Sequence, residues 1–138
     1  MTKAVNKLLK QHSLRSTPFR VRVLEIFIGN KEKALSNAFI EKTLADFDRI
    51  TLYRTLKSFE KSGIIHQAID GSNDIKYAIC NDGCTVHTHN DNHAHFLCSV
   101  CNVTTCIDDI LSVPMNIPES YTVEKVHLGL TGVCPDCN

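Results

Sequence analysis

The fold is decided by residues 49–79, which read RITLYRTLKSFEKSGIIHQAIDGSNDIKYAI. The first half repeats apolar side chains at helical spacing, and these are Leu52, Leu56 and Phe59. The pair Ser62-Gly63 ends the predicted helix, because glycine readily takes the left-handed conformation found at helix ends. Two β-prone segments follow, at residues 64–69 and 75–79, with turn-forming residues between them. A helix that runs directly into a hairpin predicts the last helix and the wing of a winged helix-turn-helix domain.

Three shorter helices are expected before this stretch. They cover residues 4–11, residues 19–28 and a segment that begins after Ser36. Thr17 and Pro18 supply an N-cap and a first-position proline for the second helix, and Ser36 supplies the N-cap of the third. The third helix is expected to face inward with Phe39, Ile40 and Leu44. A generic helical domain with a hairpin is the alternative, and the basic residues on the last helix favour the winged interpretation.

The chain has 138 residues and no net formal charge, but its two halves carry opposite charges. Residues 1–66 contain 13 Lys and Arg against 6 Asp and Glu, whereas residues 67–138 contain 2 against 9. A basic half favours a polyanionic partner, most commonly nucleic acid, over the alternative of a merely soluble basic domain. No apolar run is long enough for a leader or a membrane span, so we expect a cytoplasmic protein without a membrane partner.

The outward face of the helix that begins near Thr51 is the candidate DNA-reading surface. Its apolar residues face the core, so Tyr53, Arg54 and Lys57 lie on the opposite side. Arginine can bind a guanine edge with two hydrogen bonds, and tyrosine can meet a thymine methyl group or a phosphate. The other candidate DNA contacts are Arg15 for the minor groove and Arg20, Arg22 and Lys61 for phosphates. Solvated surface charge is the alternative for each of these residues.

Two Cys-x-x-Cys pairs, Cys98/Cys101 and Cys134/Cys137, are the strongest chemical signal. All seven cysteines lie in the second half, and in a reducing compartment paired cysteines indicate metal ligands or redox thiols. Each Cys-x-x-Cys turn can give two thiolates to one ion, so two turns complete the tetrahedral sulfur shell of a structural zinc. A redox pair or an iron–sulfur site is the alternative.

A second group of metal-binding residue types lies between residues 80 and 106. His93 and His95 alternate along a predicted strand, so both imidazoles can face one ion. Further candidate ligands nearby are Cys80, Cys84, His87, His89, Asp91 and Cys106. Imidazoles with thiolates suit Zn²⁺, whereas imidazoles with carboxylates suit Fe²⁺ or Mn²⁺. We expect a regulatory metal here that fixes the angle between two domains, although some of these residues could be ordinary loop residues.

The sequence therefore predicts an α+β protein. Its parts are a winged helix-turn-helix domain over residues 1–80, a metal-rich hinge loop over residues 81–94 and a small zinc-stapled α/β domain over residues 95–138. Strands of the last domain are expected over residues 95–100, 103–107 and 121–130. No residues have the recognisable spacing of a nucleophile and its base, so we expect no enzyme activity.

The whole chain resembles the ferric uptake regulator (Fur) family. The matching segments are residues 14–24 at the entry to the second helix, 51–56 and 62–64 at the recognition helix and its exit, 93–101 and 132–137. The resemblance implies a homodimer, joined through its C-terminal domain, that represses transcription by binding AT-rich palindromic operators in double-stranded DNA when loaded with metal. It also implies that the four Cys-x-x-Cys thiolates hold structural zinc, that His93 and His95 belong to the regulatory site, and that Tyr53 and Arg54 contact DNA.

The sequence departs from the iron-sensing members of that family at several ligand positions. Lys33, Ala34 and Leu35 stand where a histidine precedes the third helix, Ala78 and Ala94 stand where acids are common, and Cys106 replaces an acid. Loss of oxygen and nitrogen ligands with a gain of thiols favours zinc over Fe²⁺ or Mn²⁺ as the regulatory metal. We therefore expect a zinc-responsive repressor. The alternatives are an iron-, peroxide- or thiol-responsive regulator on the same scaffold and a zinc-ribbon interaction module without regulated DNA binding.

Overall fold

The computed structural model describes residues 2–79, 94–107, 116–124 and 126–138. These residues form the helices α1 (Thr2–Gln11), α2 (Pro18–Gly29), α3 (Asn37–Leu44) and α4 (Arg49–Ser62). The strands are β1 (Lys33–Ser36), β2 (Ile65–Ala68), β3 (Lys76–Ile79), β4 (Ala94–Cys98), β5 (Thr104–Ile107) and β6 (Gly129–Gly132). The predicted α+β class is confirmed, and so is the hairpin directly after the last helix. Within the described part of the chain, no helix is both long and apolar enough to cross a membrane.

Side-chain caps define where three of the helices begin. Thr17 and Ser36, the two predicted N-caps, each accept a hydrogen bond from the backbone amide three residues on, at 3.2 and 3.1 Å. Asp48 does the same for α4 at 2.9 Å and was not predicted. Gly63 ends α4 at a φ of 88°, the left-handed conformation that glycine takes without steric cost, which confirms the predicted helix end.

The four helices and the wing share one apolar core. The buried face of α4 is the one predicted, and α2 adds three apolar residues; Leu52, Leu56, Phe59, Val23, Leu24 and Phe27 are at most 4% exposed. Phe39 is 43% exposed, so its predicted inward orientation is wrong. The reason is that α3 has only eight residues, and Ile40 and Leu44, one turn apart, already fill the face that it presents to the core.

Strand β1, which has no predicted counterpart in the sequence, joins the two halves of the chain. The six strands form one sheet in the order β2-β3-β1-β5-β4-β6. β1 pairs antiparallel with β3 on one edge and with β5 on the other, where Ala34 lies opposite Thr104. The wing and the C-terminal strands are therefore hydrogen-bonded through one four-residue strand. The division into domains at residues 1–80, 81–94 and 95–138 stays a prediction.

The last strand is shorter than predicted. Residues 121–124 and 126–128 are not in a strand, and only Gly129–Gly132 pair with β4, in parallel. The other edge of β4 is taken by β5, and the register from His95 opposite Gly129 to Cys98 opposite Gly132 uses nearly all of this short strand. The predicted strand over residues 121–130 is therefore wrong for its described residues before Gly129, because β4 offers them no further backbone partner.

The sheet is strongly curled. Its inner face, which carries His66 and His95, also carries small side chains. Three strands separate β2 from β4, which would place their backbones about 19 Å apart in a flat sheet. His66 on β2 and His95 on β4 nevertheless bring their Nε2 atoms to 3.3 Å. Ala34, Ala68 and Ala78 form a small buried cluster on the strands next to these histidines. The alanines leave room for the imidazoles that larger side chains would fill.

A buried ion pair also ties the wing to β5. Lys76 Nζ lies 2.8 Å from Asp70 Oδ2 and donates to the hydroxyl of Thr104 at 2.9 Å, and that hydroxyl donates to Asp70. All three residues are at most 8% exposed. Burial raises the pKa of Asp70, but hydrogen bonds from Lys76, Ser72 and Thr104 outweigh it and hold this pKa well below its ordinary range. The cluster therefore stabilises the fold when the pH is above the ordinary pKa of an Asp side chain. This stabilisation is lost as the pH falls towards the lowered pKa that Asp70 has in the folded protein.

Lys76→Met is expected to lower the free energy of unfolding by about 3–5 kcal/mol at neutral pH, because it leaves the Asp70 carboxylate buried without its cation. Lys57→Met is the matched control, since Lys57 lies 3.5 Å from Glu60 with 43% of its side chain exposed. Lys57→Met should lower the free energy of unfolding by less than about 1 kcal/mol. Chemical denaturation followed by circular dichroism measures both values at neutral pH with zinc bound, and the acid series compares the metal-free proteins, because protonated thiols release zinc. The difference between wild type and Lys76→Met should shrink as the pH falls below about 4, and equal losses for the two variants would contradict the assignment.

Candidate metal centres and nucleic-acid interface

Four cysteine thiols meet at one end of the sheet. Cys98 ends β4, Cys101 follows in the next turn, and Cys134 and Cys137 follow β6, the parallel partner of β4. The four Sγ atoms lie within 4.8 Å of one another, and those of Cys101 and Cys134 are 3.8 Å apart. A tetrahedral zinc with Zn–S bonds of about 2.3 Å separates its sulfurs by about 3.8 Å. The cluster could therefore hold a structural zinc, as the two Cys-x-x-Cys turns predicted.

The surroundings of these thiols favour the thiolate form at Cys98 and the neutral thiol at Cys137. The amides of Cys101 and Cys134 donate to Cys98 Sγ at 3.5 and 3.4 Å and lower the pKa of Cys98 to about 6. The hydrogen bond with Cys134 and burial raise the pKa of Cys137 to about 12. Four sulfurs this close cannot all ionise on their own, because each thiolate disfavours the next. A divalent metal would supply the positive charge that lets all four act as thiolate ligands.

A second cluster combines His66, His95 and Cys106 from three strands. His66 lies on β2, His95 on β4 and Cys106 on β5. Their ligand atoms lie within 4.8 Å of one another, with His66 Nε2 at 3.3 Å from His95 Nε2 and 3.9 Å from Cys106 Sγ. Both histidines are buried, and Cys106 is half-buried. Two imidazoles and one thiolate provide three ligands of zinc-binding type, which leaves one tetrahedral position for another donor.

His95 and Cys106 are among the ligands that the sequence predicts for a regulatory metal, whereas His66 is not. His66 belongs to the wing, 29 residues before His95, so no short spacing connects it with the other ligands. The available signal was a histidine in a strand directly after Ile64 and Ile65, where an apolar residue would be expected. The other predicted ligands lie outside the described residues, and these are Cys80, Cys84, His87, His89, Asp91 and His93.

The outer face of α4 presents the side chains predicted to contact DNA. Tyr53 is 62% exposed, and Arg54 is exposed as well. Lys57 is half-buried, with its Nζ atom 5.7 Å from the centre of the Tyr53 ring. The predicted orientation of these residues away from the core is confirmed. Their contact with DNA stays a prediction.

Arg15, Arg20 and Arg54 line a cleft of about 530 Å³ beside the start of α4. The remaining lining residues are Thr17, Phe19, Thr51 and Thr55. Arg20 donates to the backbone carbonyl of Arg15 at 2.8 Å, which holds the link between α1 and α2 next to α4. Because three guanidinium groups and no carboxylate are among the lining residues, the cleft suits an anionic group such as a phosphate.

Arg22, a candidate phosphate contact from the sequence, is exposed but makes hydrogen bonds within the protein. Its guanidinium donates to the carbonyl of Leu44 at 3.0 Å and to that of Asp46 at 3.3 Å. These carbonyls belong to the end of α3 and to the turn that leads into α4. The last carbonyls of a helix have no intrahelical partner and carry partial negative charge. Arg22 therefore fixes the turn of the helix-turn-helix and, with it, the position of α4.

Comparisons with known proteins agree with this arrangement. The ferric uptake regulator family matches residues 11–131. A ferric uptake regulation protein of Staphylococcus aureus is 31% identical over 140 residues, which cover 95% of this chain and 93% of that protein. Among solved structures, a zinc uptake regulator complexed with zinc and DNA is similar, with a TM-score of 0.63 at 16% sequence identity. The superposition covers 99% of this chain and 91% of the zinc uptake regulator chain. The Vibrio cholerae ferric uptake regulator has a TM-score of 0.61 at 18% sequence identity, and the match covers 94% of this chain and 98% of the Vibrio cholerae chain.

A winged helix-turn-helix linked by a shared sheet to strands that carry thiol and imidazole clusters defines a class of metal-binding transcription regulators. The chain belongs to the ferric uptake regulator family. Proteins of this family are metal-responsive, DNA-binding transcription regulators and not enzymes, so the expectation of no enzyme activity is confirmed. The likeness to the solved structures concerns the fold.

Cys134→Ser is expected to remove one tightly bound zinc per chain, because three thiolates no longer close the tetrahedral shell. Cys106→Ser makes the same chemical change outside this cluster and should leave that zinc in place. The zinc content of the purified proteins after mild chelation, measured by atomic emission, tests both expectations. An unchanged content in the Cys134→Ser protein would contradict the assignment of the four cysteines.

Proposed function

We propose that this chain is a dimeric, cytoplasmic repressor that binds operator DNA when zinc is bound at His66, His95 and Cys106. The observation that carries the proposal is that this cluster takes one ligand from the wing and two from the C-terminal strands. Ligands on two segments couple the relative position of those segments to metal binding. The operator is proposed to be a palindrome in double-stranded DNA, because a twofold-symmetric protein requires two equivalent half-sites. That it is AT-rich is proposed only from the resemblance to the ferric uptake regulator family.

The donor set supports zinc over Fe²⁺ or Mn²⁺ as the regulatory metal. The described cluster contains two imidazoles and a thiolate but no carboxylate, and soft donors favour zinc. We propose that the remaining ligand comes from Cys80, Cys84, His87, His89 or His93. The four-cysteine cluster would hold a separate structural zinc, since it has no open position for exchange.

The packing around His66 explains how the metal site would act on DNA binding. β2 begins three residues after α4 ends, and Ile64 and Ile65 between His66 and the helix are at most 1% exposed. Because this connection is short and buried, holding His66 against β4 and β5 also holds α4 and the wing. In a dimer, the two α4 helices would then keep the spacing of the two half-sites, and DNA affinity would rise with metal.

On DNA, α4 is proposed to lie in the major groove. Tyr53 and Arg54 would meet base edges, and Lys57 would contact the backbone. The cleft beside α4 would receive a phosphate through Arg20, with Arg15 extending towards the minor groove. The exposure of Tyr53 and Arg54 and the three arginines of the cleft support this arrangement.

An iron-responsive regulator is the second candidate. It is favoured by the names of the relatives from Staphylococcus aureus and Staphylococcus epidermidis, both ferric uptake regulation proteins at 31% identity. A thiol-responsive variant would use Cys106, whose Sγ atom lies 3.9 Å from His66 Nε2. Oxidation of that thiol would remove a ligand and loosen the link between the wing and β5.

His66→Ala tests the proposal, and His127→Ala, at an exposed position outside both clusters, is the matched control. The probe is a duplex selected from a random-sequence library by the zinc-loaded wild type. We expect His66→Ala to weaken the exchangeable zinc site at least about tenfold and to abolish the rise in DNA affinity with free zinc. Competition with a chelator and fluorescence anisotropy measure the two effects, and the structural zinc should remain.

The same assay separates the candidates when a second probe is selected in parallel by the Fe²⁺-loaded wild type under anaerobic conditions. If Fe²⁺ but not zinc raises DNA affinity under anaerobic conditions, the iron-responsive regulator replaces the zinc-responsive one. If release of DNA requires an oxidant while the metal concentration is held constant, the thiol-responsive regulator replaces the zinc-responsive one. If His66→Ala and His127→Ala respond to zinc alike, the cluster is not the regulatory site.

Arg54→Lys tests the role of α4 while keeping the positive charge. Lysine cannot form the two parallel hydrogen bonds of a guanidinium, so affinity for the selected duplex should fall about 10–100-fold. Affinity for a random duplex should change little, and the dependence on salt should keep its slope, because the charge is retained. Equal losses for the selected and random duplexes would contradict a base contact and assign Arg54 to the phosphates.

A further inference from the structure

An isoleucine is exposed in the first turn of α4. Ile50 is 63% exposed, whereas Leu52, Leu56 and Phe59 of the same helix are at most 4% exposed. A β-branched residue also has a lower helix propensity than alanine or a long polar residue. Neither core packing nor helix formation therefore accounts for isoleucine at this position.

Ile50 lies on the face of α4 that also carries the candidate DNA contacts. Tyr53, Arg54 and Lys57 follow it by three, four and seven residues, the spacings that place side chains on one side of a helix. Tyr53 is 62% exposed, so two large side chains with apolar surface lie side by side here. This outer face thus begins with an apolar contact surface at the N-terminal end of the helix.

The surroundings of Ile50 favour a polyanion over an apolar protein partner. Arg49 precedes it and is exposed, and Arg54 follows one turn later beside the cleft that Arg15 and Arg20 also line. The exposed Asp48 carboxylate nearby accepts hydrogen bonds from the amide and hydroxyl of Thr51, and the surrounding cations outnumber it, so this surface attracts a negatively charged ligand. The major groove of DNA offers both parts of such a ligand, because phosphates flank it and thymine presents an apolar 5-methyl group inside it. The N-terminal residues of a recognition helix lie nearest the base edges.

We propose that Ile50 is a specificity-determining residue that reads one thymine of each half-site through the 5-methyl group of that base. The proposal rests on the proposed function, in which α4 lies in the major groove. The side chain of Ile50 has no hydrogen-bonding group, so it distinguishes bases only through this apolar contact. Loss of one buried methyl group corresponds to roughly a fourfold loss of affinity.

The experiment removes the methyl group from the DNA and the side chain from the protein. A duplex selected from a random-sequence library by the zinc-loaded, full-length wild type is the probe. Each of its thymines is replaced in turn with 2′-deoxyuridine, which lacks only the 5-methyl group. Fluorescence anisotropy then gives the affinities of wild type, Ile50→Val, Ile50→Ala and Ile117→Ala. Ile117 is 44% exposed and lies outside the helices, so Ile117→Ala is the matched control.

We expect one thymine per half-site at which the replacement lowers the DNA affinity of wild type, Ile50→Val and Ile117→Ala about fourfold. At the same thymine, the DNA affinity of Ile50→Ala should not change, because this variant has already lost the contact. A thymine read by Tyr53 would instead weaken all four proteins alike. If no position distinguishes Ile50→Ala from wild type, the proposed contact is wrong, although the regulator still binds its operator. If the wild type enriches no sequence from the library, the proposed function fails, and the role of Ile50 fails with it.

Discussion

Strand β1 is the constraint on which the rest of the structure depends. Its four residues hydrogen-bond to β3 on one edge and to β5 on the other, so the wing and the C-terminal strands belong to one sheet. That sheet curls until β2 lies close to β4, and two buried polar clusters occupy its concave side. The His66 cluster and the Asp70–Lys76–Thr104 cluster each combine the wing with β5. Neither would have its partners if β1 did not connect these strands.

The two ligand clusters are built in different ways, and the difference suits different roles. The four cysteines come from two short turns that the pairing of β4 with β6 brings together, so the cluster is local and closed. The other cluster needs strands from both halves of the chain, and the small alanines of the inner face make room for it. A local, closed site stabilises one part of a protein. A site shared between segments changes when those segments move, which is what a sensor requires.

The basic half uses its arginines in two distinct ways. Arg22 donates to carbonyls at the end of α3 and so holds the backbone before α4. Arg20 does both: it donates to the carbonyl of Arg15 and lines the cleft proposed for a phosphate. Arg54 instead projects outward from α4 beside the same cleft. The positive charge of this half would therefore do more than attract a polyanion. Part of the positive charge positions the helix that would meet the DNA, and part of it would form the contact.

The sequence by itself determined the features that depend on short-range patterns. Helical periodicity placed Leu52, Leu56 and Phe59 inside, Gly63 marked the end of α4, and the two Cys-x-x-Cys turns identified the four-cysteine cluster. Only the tertiary structure decided β1, the length of β6, the exposure of Phe39 and the place of His66 beside His95. The physical reason is that a strand is defined by its partner and a buried polar group by its neighbours. Those partners lie tens of residues away, where no local spacing reveals them.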